Sequence, residues 1–118
     1  YILAVASSSP ADVIEETLNV LDVRECFQSI TSGREVADPK PAPDVFLRAM
    51  EKLGVSPREC LIIEDSTNGG KAAKAAGAKC VWYHNPDSGD QNIPYAELEI
   101  GEWNAENVNK LIQIMKEN

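Results

Sequence analysis

The chain has 118 residues, which is enough for one compact domain and too few for two. Its 11 lysines and arginines against 19 aspartates and glutamates give a formal net charge of −8, which disfavours binding to the phosphate backbone of nucleic acids. Its apolar runs are about six residues long, whereas a membrane-spanning helix needs roughly 20. We therefore expect neither nucleic acid nor a membrane among its partners.

The first half of the chain predicts a strand, a helix and a second, weaker strand. The unbroken apolar run at residues 2–6 is typical of a strand that is covered on both faces. Ser9 is expected to cap a helix whose first residue is Pro10. The weaker strand covers residues 28–31. The buried stripe of the helix is expected to contain Val13, Ile14, Leu18 and Leu21.

The second half predicts further alternation of helices and strands. After a proline-rich loop at residues 33–43, Pro43 and Asp44 begin a helix that Gly54 ends. The remaining elements are a strand at 60–63, an Ala-rich helix capped by Ser66 and Thr67 and closed by Gly77, a strand at 79–83, a turn-rich loop at 85–94, a short strand within 95–100, and a helix capped by Asn104. This order predicts an α/β fold with a parallel sheet and helices on both faces.

The three cysteines, Cys26, Cys60 and Cys80, are an odd number without C-x-x-C spacing. Cys60 and Cys80 open apolar runs, which predicts buried, reduced thiols. Reduced thiols, together with the lack of a basic stretch before the first apolar run, predict a cytoplasmic location. Because Tyr1 lies directly inside a strand-like run, we expect further sequence to precede it.

Polar residues follow two of the predicted strands and occupy the loop between them. Ligands of open α/β sheets bind at the carboxyl ends of the strands. Ser7 and Ser8 follow the first strand, where hydroxyl and amide groups bind anions. Glu64 and Asp65 follow the third, and Mg²⁺ takes one or two carboxylates. Lys40 lies between prolines that restrict its backbone. This set suits a phosphate held beside a divalent metal.

Structural roles remain open for several of these groups. Asp65 or Ser66 could simply cap the following helix, and the loop lysine could point into solvent. The single histidine, His84, has no evident catalytic partner, which favours a structural role. Residues 69–71 do not form a nucleotide-binding loop, because alanine follows where that motif needs Ser or Thr.

Three segments together resemble a known family. They are residues 3–9 (LAVASSS), 38–60 (DPKPAPDVFLRAMEKLGVSPREC) and 61–78 (LIIEDSTNGGKAAKAAGA). In this order they are similar to the haloacid dehalogenase-like (HAD) hydrolases, most of all to the branch of β-phosphoglucomutase and the sugar-phosphate phosphatases. The resemblance implies a Rossmann-like, three-layer α/β core with a parallel sheet, and Mg²⁺-dependent phosphoryl transfer.

The resemblance also implies roles for individual residues. Ser7 matches the second motif, whose hydroxyl binds the transferring phosphoryl group, assisted by the amide of Ser8. Lys40 matches the third motif, which neutralises charge on the nucleophile and the phosphate. Asp65 matches the metal ligand of the fourth motif, and Glu64 the neighbouring acid that binds the metal directly or through water. Lys40 and Mg²⁺ would supply positive charge inside an acidic domain.

The first motif of the family, Asp-x-Asp at the end of an apolar strand, does not occur in the chain, because no two aspartates are spaced by two. The helical cap of this branch is absent as well. We therefore expect residues 1–118 to form the C-terminal part of a single HAD-like core domain, with the nucleophile aspartate in an N-terminal segment. The nucleophile strand would lie between strands 2–6 and 60–63, which are therefore expected not to pair.

The sequence thus predicts part of a Mg²⁺-dependent phosphatase or phosphomutase for small phosphorylated metabolites, with sugar phosphates as the expected class. The phosphoryl group would pass to an aspartate upstream of Tyr1. The chain alone is expected to be inactive. A non-catalytic α/β module that binds phosphate or a protein is the alternative. A phosphoacceptor signalling domain fits less well, since Asp65 directly follows Glu64.

Overall fold

Strands and helices alternate along the chain as the apolar pattern predicts. The computed structural model describes residues 1–117. The elements are β1 (Ala4–Ser7), α1 (Ala11–Val20), β2 (Ser29–Ser32), α2 (Asp44–Leu53), β3 (Leu61–Glu64), α3 (Thr67–Ala76), β4 (Lys79–Tyr83), β5 (Leu98–Ile100) and α4 (Ala105–Lys116). Within the described residues, no helix has the length and apolar character needed to cross a membrane.

The five strands form two parallel sheets. β1 pairs with β2, and β4 lies between β3 and β5. β1 and β3 do not pair, which confirms that expectation. Between them runs the inter-sheet groove, about 530 Å³ in volume and lined by apolar side chains from both strands and from α2. The α/β class with parallel strands is confirmed.

The first apolar run does not lie in a strand covered on both faces, as its pattern predicts. β1 begins only at Ala4, because its register with β2 runs from Ala4 opposite Ser29 to Ser7 opposite Ser32. Ile2 and Leu3 precede the strand, are 57% and 51% exposed, and line the inter-sheet groove. The prediction of burial is wrong for these two residues because no neighbouring strand lies on that side of β1 in the described chain.

The hydrophobic core lies where α2 and α3 pack on each other and on the strands. α3 presents a face of alanines, which lets the two helices approach closely. Gly70 in the same helix is equally important, because a Cβ at this position would lie 2.8 Å from the side chain of the buried Ile93. The core includes Val45, Phe46 and Met50 of α2, Ala72, Ala73 and Ala76 of α3, and Cys80 of β4.

The ends of α2, α3 and α4 follow their sequence signals. The Ser66 hydroxyl accepts a backbone N–H from the first turn of α3 at 3.0 Å. Gly54 and Gly77 end α2 and α3 in the left-handed region, with φ of 68° and 84°. Asn104 caps α4 through its side-chain oxygen. These local signals predict helix ends correctly because they depend on residues within one turn.

Helix α1 departs from its prediction in two respects. It begins at Ala11, and no side chain caps its first turn, so the prediction that Ser9 is the cap is wrong. The backbone carbonyl of Ser9 accepts a hydrogen bond from the Ser32 hydroxyl at 2.6 Å. Of the expected stripe, Ile14 and Leu18 are buried, whereas Val13 and Leu21 are exposed. The helix packs against β2, which belongs to a sheet of only two described strands. Such a narrow sheet covers only a narrow stripe of the helix surface, which leaves Val13 and Leu21 outside it.

The three cysteines are unpaired and differ in exposure. Cys26 is exposed and Cys80 is buried, as expected for the latter. The prediction that Cys60 is buried is wrong, because it is partly exposed directly before β3 and its thiol contacts the carbonyl of Ser56. Burial raises the pKa of the Cys80 thiol to about 11.

We expect a thiol reagent at pH 8 to modify Cys26 rapidly and Cys80 only when the protein unfolds. The thiolate is the reactive species, and a thiol with a pKa near 11 is ionised in only about one molecule in 10³ at that pH. Peptide mass spectrometry over a labelling time course measures both rates. Similar rates at the two positions in the native protein would contradict the burial of Cys80.

Candidate active site at the carboxyl ends of β1 and β3

Ser8 after β1 and the start of α3 after β3 face one cavity, which we call the site cavity. Asp65 lines a separate, adjacent cavity, which shares Asp90 and Gln91 with it. The site cavity has a volume of about 530 Å³. Hydroxyl, ammonium and carboxylate groups line it, together with the first turn of α3, whose backbone N–H groups favour anions. The lining includes Ser8, Lys40, Ser66, Thr67, Asp90 and Gln91. The structure therefore brings Lys40 and Ser8 together, as predicted for two members of one site.

Lys40 reaches this cavity paired with a buried carboxylate. Its Nζ lies 2.6 Å from Oε1 of Glu64, and the two side chains are 13% and 8% exposed. The ammonium also lies 4.8 Å from the ring centroid of Phe46. A lysine that simply points into solvent is excluded by these contacts. Separating the two partners would leave an uncompensated buried charge. The pair therefore fixes the position of the Lys40 ammonium relative to Glu64.

The carboxylate of Glu64 occupies space that a side chain at position 69 would need. Ser66 donates a hydrogen bond from its hydroxyl to Oε2 of Glu64 at 3.3 Å, while Oε1 accepts from Lys40. A Cβ on Gly69 would lie 2.0 Å from the Glu64 carboxyl group. Glycine at position 69 thus allows the carboxylate to lie against the first turn of α3. Direct or water-mediated metal binding by Glu64 stays a prediction.

Gly69→Ala is expected to destabilise the protein by about 1–3 kcal/mol, the range for overpacking a well-packed site. Alanine in a helix otherwise stabilises relative to glycine, so the sign of the effect identifies the clash with Glu64. Urea unfolding measures it, with Gly101→Ala as the control because a Cβ there meets no atom within 4 Å. A Gly69→Ala variant as stable as the wild type would contradict this account.

Asp65 lies directly after β3 with its carboxylate oriented by a neighbouring loop. Ser88 donates its hydroxyl to Oδ2 at 2.6 Å, and the amide of Asn85 donates to the same oxygen at 3.0 Å. The hydrogen bond from Ser88 is the largest cause that lowers the pKa of Asp65, with Asn85 and the charge of Lys40 acting in the same direction and burial opposing them. Ser66 rather than Asp65 caps α3, so the carboxylate is not used for capping.

The Asp65 carboxylate fits a magnesium ion whose other ligands come mostly from outside the described residues. Among the described residues, no group of three or more His, Cys, Asp or Glu side chains could hold a metal by itself. Mg²⁺ needs only one or two carboxylates in addition to water and substrate oxygens. Within residues 1–117 Ser88 and Asn85 both donate to Oδ2 of Asp65, and no side chain donates to Oδ1. No side-chain donor therefore competes with a cation for Oδ1.

Ser7 is the last residue of β1 and Ser8 follows it; of the two, only Ser8 lines the site cavity. The Ser7 hydroxyl accepts the backbone N–H of Ser9 at 3.2 Å, which leaves its own proton free to be donated. Ser8 lines the cavity and packs against Gly33, where a Cβ would lie 3.1 Å from the Ser8 Cα. The phosphate-binding roles of both serines stay predictions.

His84 has the structural environment that its sequence context favours. Its ring stacks on Trp82 with centroids 3.9 Å apart, and its Nε2 lies 2.8 Å from Oε1 of Glu99. Glu99 belongs to β5, so the contact links the loop after β4 to the edge of the sheet.

Sequence reasoning overlooked the side chains that contact Asp65. Asn85 and Ser88 bond to its carboxylate, and Gln91 bonds to Ser88. All three belong to the turn-rich loop after β4, where polar residues are ordinary. The available signal was position, because this loop follows the carboxyl end of a strand in the same parallel sheet as β3.

Comparisons with known proteins identify the family of the chain. Residues 1–83 match the family model of the haloacid dehalogenase-like hydrolases. Hexitol phosphatase B of Escherichia coli (strain K12) is 37% identical over 93 residues, which are 79% of this chain and 41% of that protein. Phosphorylated carbohydrates phosphatase of Thermotoga maritima is 32% identical over 117 residues, which are 98% of this chain and 52% of that protein.

A solved structure gives the same result. CbbY from Rhodobacter sphaeroides, in complex with xylulose-(1,5)-bisphosphate, is 31% identical with a TM-score of 0.77 over 84% of this chain and 45% of that one. The chain thus spans about half the length of the relatives that it matches. The family model covers more than half of the chain. The chain belongs to the haloacid dehalogenase-like hydrolase family.

Proposed function

We propose that the chain contributes the phosphate- and metal-binding part of the active site of a Mg²⁺-dependent phosphatase or phosphomutase. The observation that carries this proposal is the meeting of Lys40 and Ser8 in the site cavity, with Asp65 directly after β3 and beside the same loop. A cation, hydroxyl and amide donors, and an ionised carboxylate are the groups that a phosphoryl ester and a magnesium ion need.

Each residue has a distinct proposed role. The Ser7 hydroxyl and the Ser8 amide donate hydrogen bonds to phosphoryl oxygens. Lys40 neutralises charge on the phosphate and the nucleophile, and Glu64 holds its ammonium in place. Asp65 is the metal ligand, with Glu64 next to it as a direct or water-mediated ligand. The bound Mg²⁺ would neutralise charge that develops on the phosphoryl oxygens.

We propose that the inter-sheet groove receives one further strand of the same polypeptide, which carries the nucleophile aspartate. The groove is apolar and lies between two strand edges that have no partner within residues 1–117, an exposure that proteins avoid. The relatives are about twice as long as the chain, so they contain sequence of ample length for such a strand.

The chemical step then needs no further reactant except water or a sugar. A carboxylate oxygen of the nucleophile attacks phosphorus, and the bond from phosphorus to the ester oxygen breaks. The leaving oxygen takes a proton from solvent and departs as the alcohol. Water in a phosphatase, or a sugar hydroxyl in a mutase, then attacks the aspartyl phosphate, gives up a proton to solvent and releases the carboxylate. Lys40 stabilises the added negative charge in both steps.

The substrate class that we propose is sugar phosphates. The names of the relatives support it, because they refer to a hexitol, to phosphorylated carbohydrates and to a xylulose bisphosphate. The net charge of −8 disfavours nucleic acid as a partner. The free thiols of Cys26, Cys60 and Cys80 support the reducing cytoplasm as the compartment.

The proposal is tested by comparing the complete polypeptide with residues 1–118 alone. We expect the complete protein to release phosphate from, or isomerise, small sugar phosphates with Mg²⁺ present, and residues 1–118 to show neither activity. Hydrolysis by residues 1–118 alone would contradict the nucleophile assignment. A complete protein that binds phosphate without turnover would favour the non-catalytic alternative.

A further inference from the structure

The loop after β4 is attached to the first turn of α3 at three consecutive positions. The side-chain oxygen of Gln91 accepts the backbone N–H of Thr67 at 2.7 Å. The backbone N–H of Asn92 donates to the Thr67 hydroxyl at 2.8 Å. Ile93 is buried against Gly70. The Thr67 amide is one of the donors that a helix leaves without an internal partner, so Gln91 satisfies a group that needs one.

Gln91 also reaches back into its own loop. Its amide nitrogen donates to the carbonyl of Ser88 at 2.8 Å, and the Ser88 hydroxyl donates to Oδ2 of Asp65 at 2.6 Å. A continuous series of hydrogen bonds therefore runs from the start of α3 through Gln91 and Ser88 to the carboxylate. Asp65 itself lies two residues before Thr67, which closes the series into a ring.

We propose that Gln91 is a positioning residue that holds Ser88 in place, so that the Asp65 carboxylate is presented to the metal in one orientation. The inference rests on the proposed metal-binding role of Asp65. A carboxamide suits this position because it accepts from Thr67 and donates to Ser88 at the same time. Without it, Ser88 is held only through its backbone N–H bond to Asn85, its hydroxyl is positioned over Oδ2 less firmly, and Asn85 alone still fixes the carboxylate.

The competing explanation is that Gln91 only stabilises the loop. A purely structural residue would lower the melting temperature and leave the metal affinity of the folded protein unchanged. A positioning residue lowers the metal affinity and does so through Ser88. The two explanations therefore differ in a binding measurement that does not depend on turnover.

The experiment measures Mn²⁺ binding to the complete polypeptide by water-proton relaxation, at a temperature where every variant is folded. We expect Gln91→Ala and the similarly sized Gln91→Met to weaken Mn²⁺ binding about 10-fold, the scale for removing a group that orients a metal ligand. Gln113→Ala, the same change on the exposed side of α4, should leave the affinity unchanged.

A double-mutant cycle tests the route through Ser88. If Gln91 acts through that hydroxyl, Gln91→Ala in a Ser88→Ala background should weaken Mn²⁺ binding by much less than it does in the wild type. Full additivity would overturn the proposed route, and an unchanged affinity in both Gln91 variants would overturn the positioning role. If one Gln91 variant does not fold, the other decides the same question.

Asp65→Asn separates this inference from the function that it rests on. Loss of Mn²⁺ binding in Asp65→Asn together with normal binding in the Gln91 variants would overturn the inference and leave the proposed function intact. Normal binding in Asp65→Asn would overturn both, because the metal would then not depend on this carboxylate.

Discussion

Asp65→Asn is expected to lower Mg²⁺-dependent turnover of the complete enzyme by about 10²-fold or more, the scale for removing one electrostatic stabiliser from an active site. Asparagine has almost the same shape and can still accept hydrogen bonds from Ser88 and Asn85. It lacks the negative charge that a hard divalent cation requires. The loss should therefore appear as a much higher Mg²⁺ concentration for half-maximal activity.

Asp87→Asn is the matched control for this change. Asp87 is exposed in the same loop, two residues after Asn85, so its substitution removes an equal charge near the site. A Mg²⁺ titration of turnover should distinguish the two variants clearly. If both variants needed the same Mg²⁺ concentration as the wild type, Asp65 would not be the principal metal ligand.

Lys40→Met is expected to lower both turnover and stability. Turnover should fall by about 10²-fold or more, because the ammonium that faces the site cavity is lost. Stability should fall by about 3–5 kcal/mol, because Glu64 would stay buried without its cation. Initial-rate kinetics and urea unfolding measure the two effects. Lys71→Met, on the exposed side of α3, is the control and should change neither.

The double variant Lys40→Met/Glu64→Gln separates the two roles of the lysine. Neutralising Glu64 removes the uncompensated charge, so much of the lost stability should return. Turnover should remain low, because the cation in the site cavity is still missing and the proposed metal ligand Glu64 is neutral as well. Recovery of both properties would show that Lys40 supports only the fold. A single Lys40→Met variant with wild-type turnover would also contradict its contact with the phosphoryl group.

Helix ends and the overall order of elements could be predicted because their causes are local. Gly54 and Gly77 end helices in the left-handed region, and Ser66 caps α3 from one turn away. The boundaries of β1 could not be predicted in this way, because they depend on β2, which is formed by residues about 25 positions further along the chain.

The same distinction between local signals and contacts of distant residues applies to the candidate site. Sequence position and the resemblance to family motifs predict site roles for Ser7 and Asp65, which end or follow strands, and for Lys40, which lies between prolines. Lys40 meets Glu64 across 24 positions of sequence, and Ser88 meets Asp65 across 23. Neither contact has a local signal, because each depends on how a distant loop meets the carboxyl end of β3.

By itself, the sequence determined the alternation of strands and helices, the family resemblance and the residue types of the site. These follow from apolar periodicity, caps and motifs, which act over a few neighbouring residues. Only the tertiary structure decided that Glu64 is paired with Lys40, that Gly69 makes room for that carboxylate, and that a loop after β4 orients Asp65. The physical reason is that burial and hydrogen-bond partners are properties of chain segments brought together by packing.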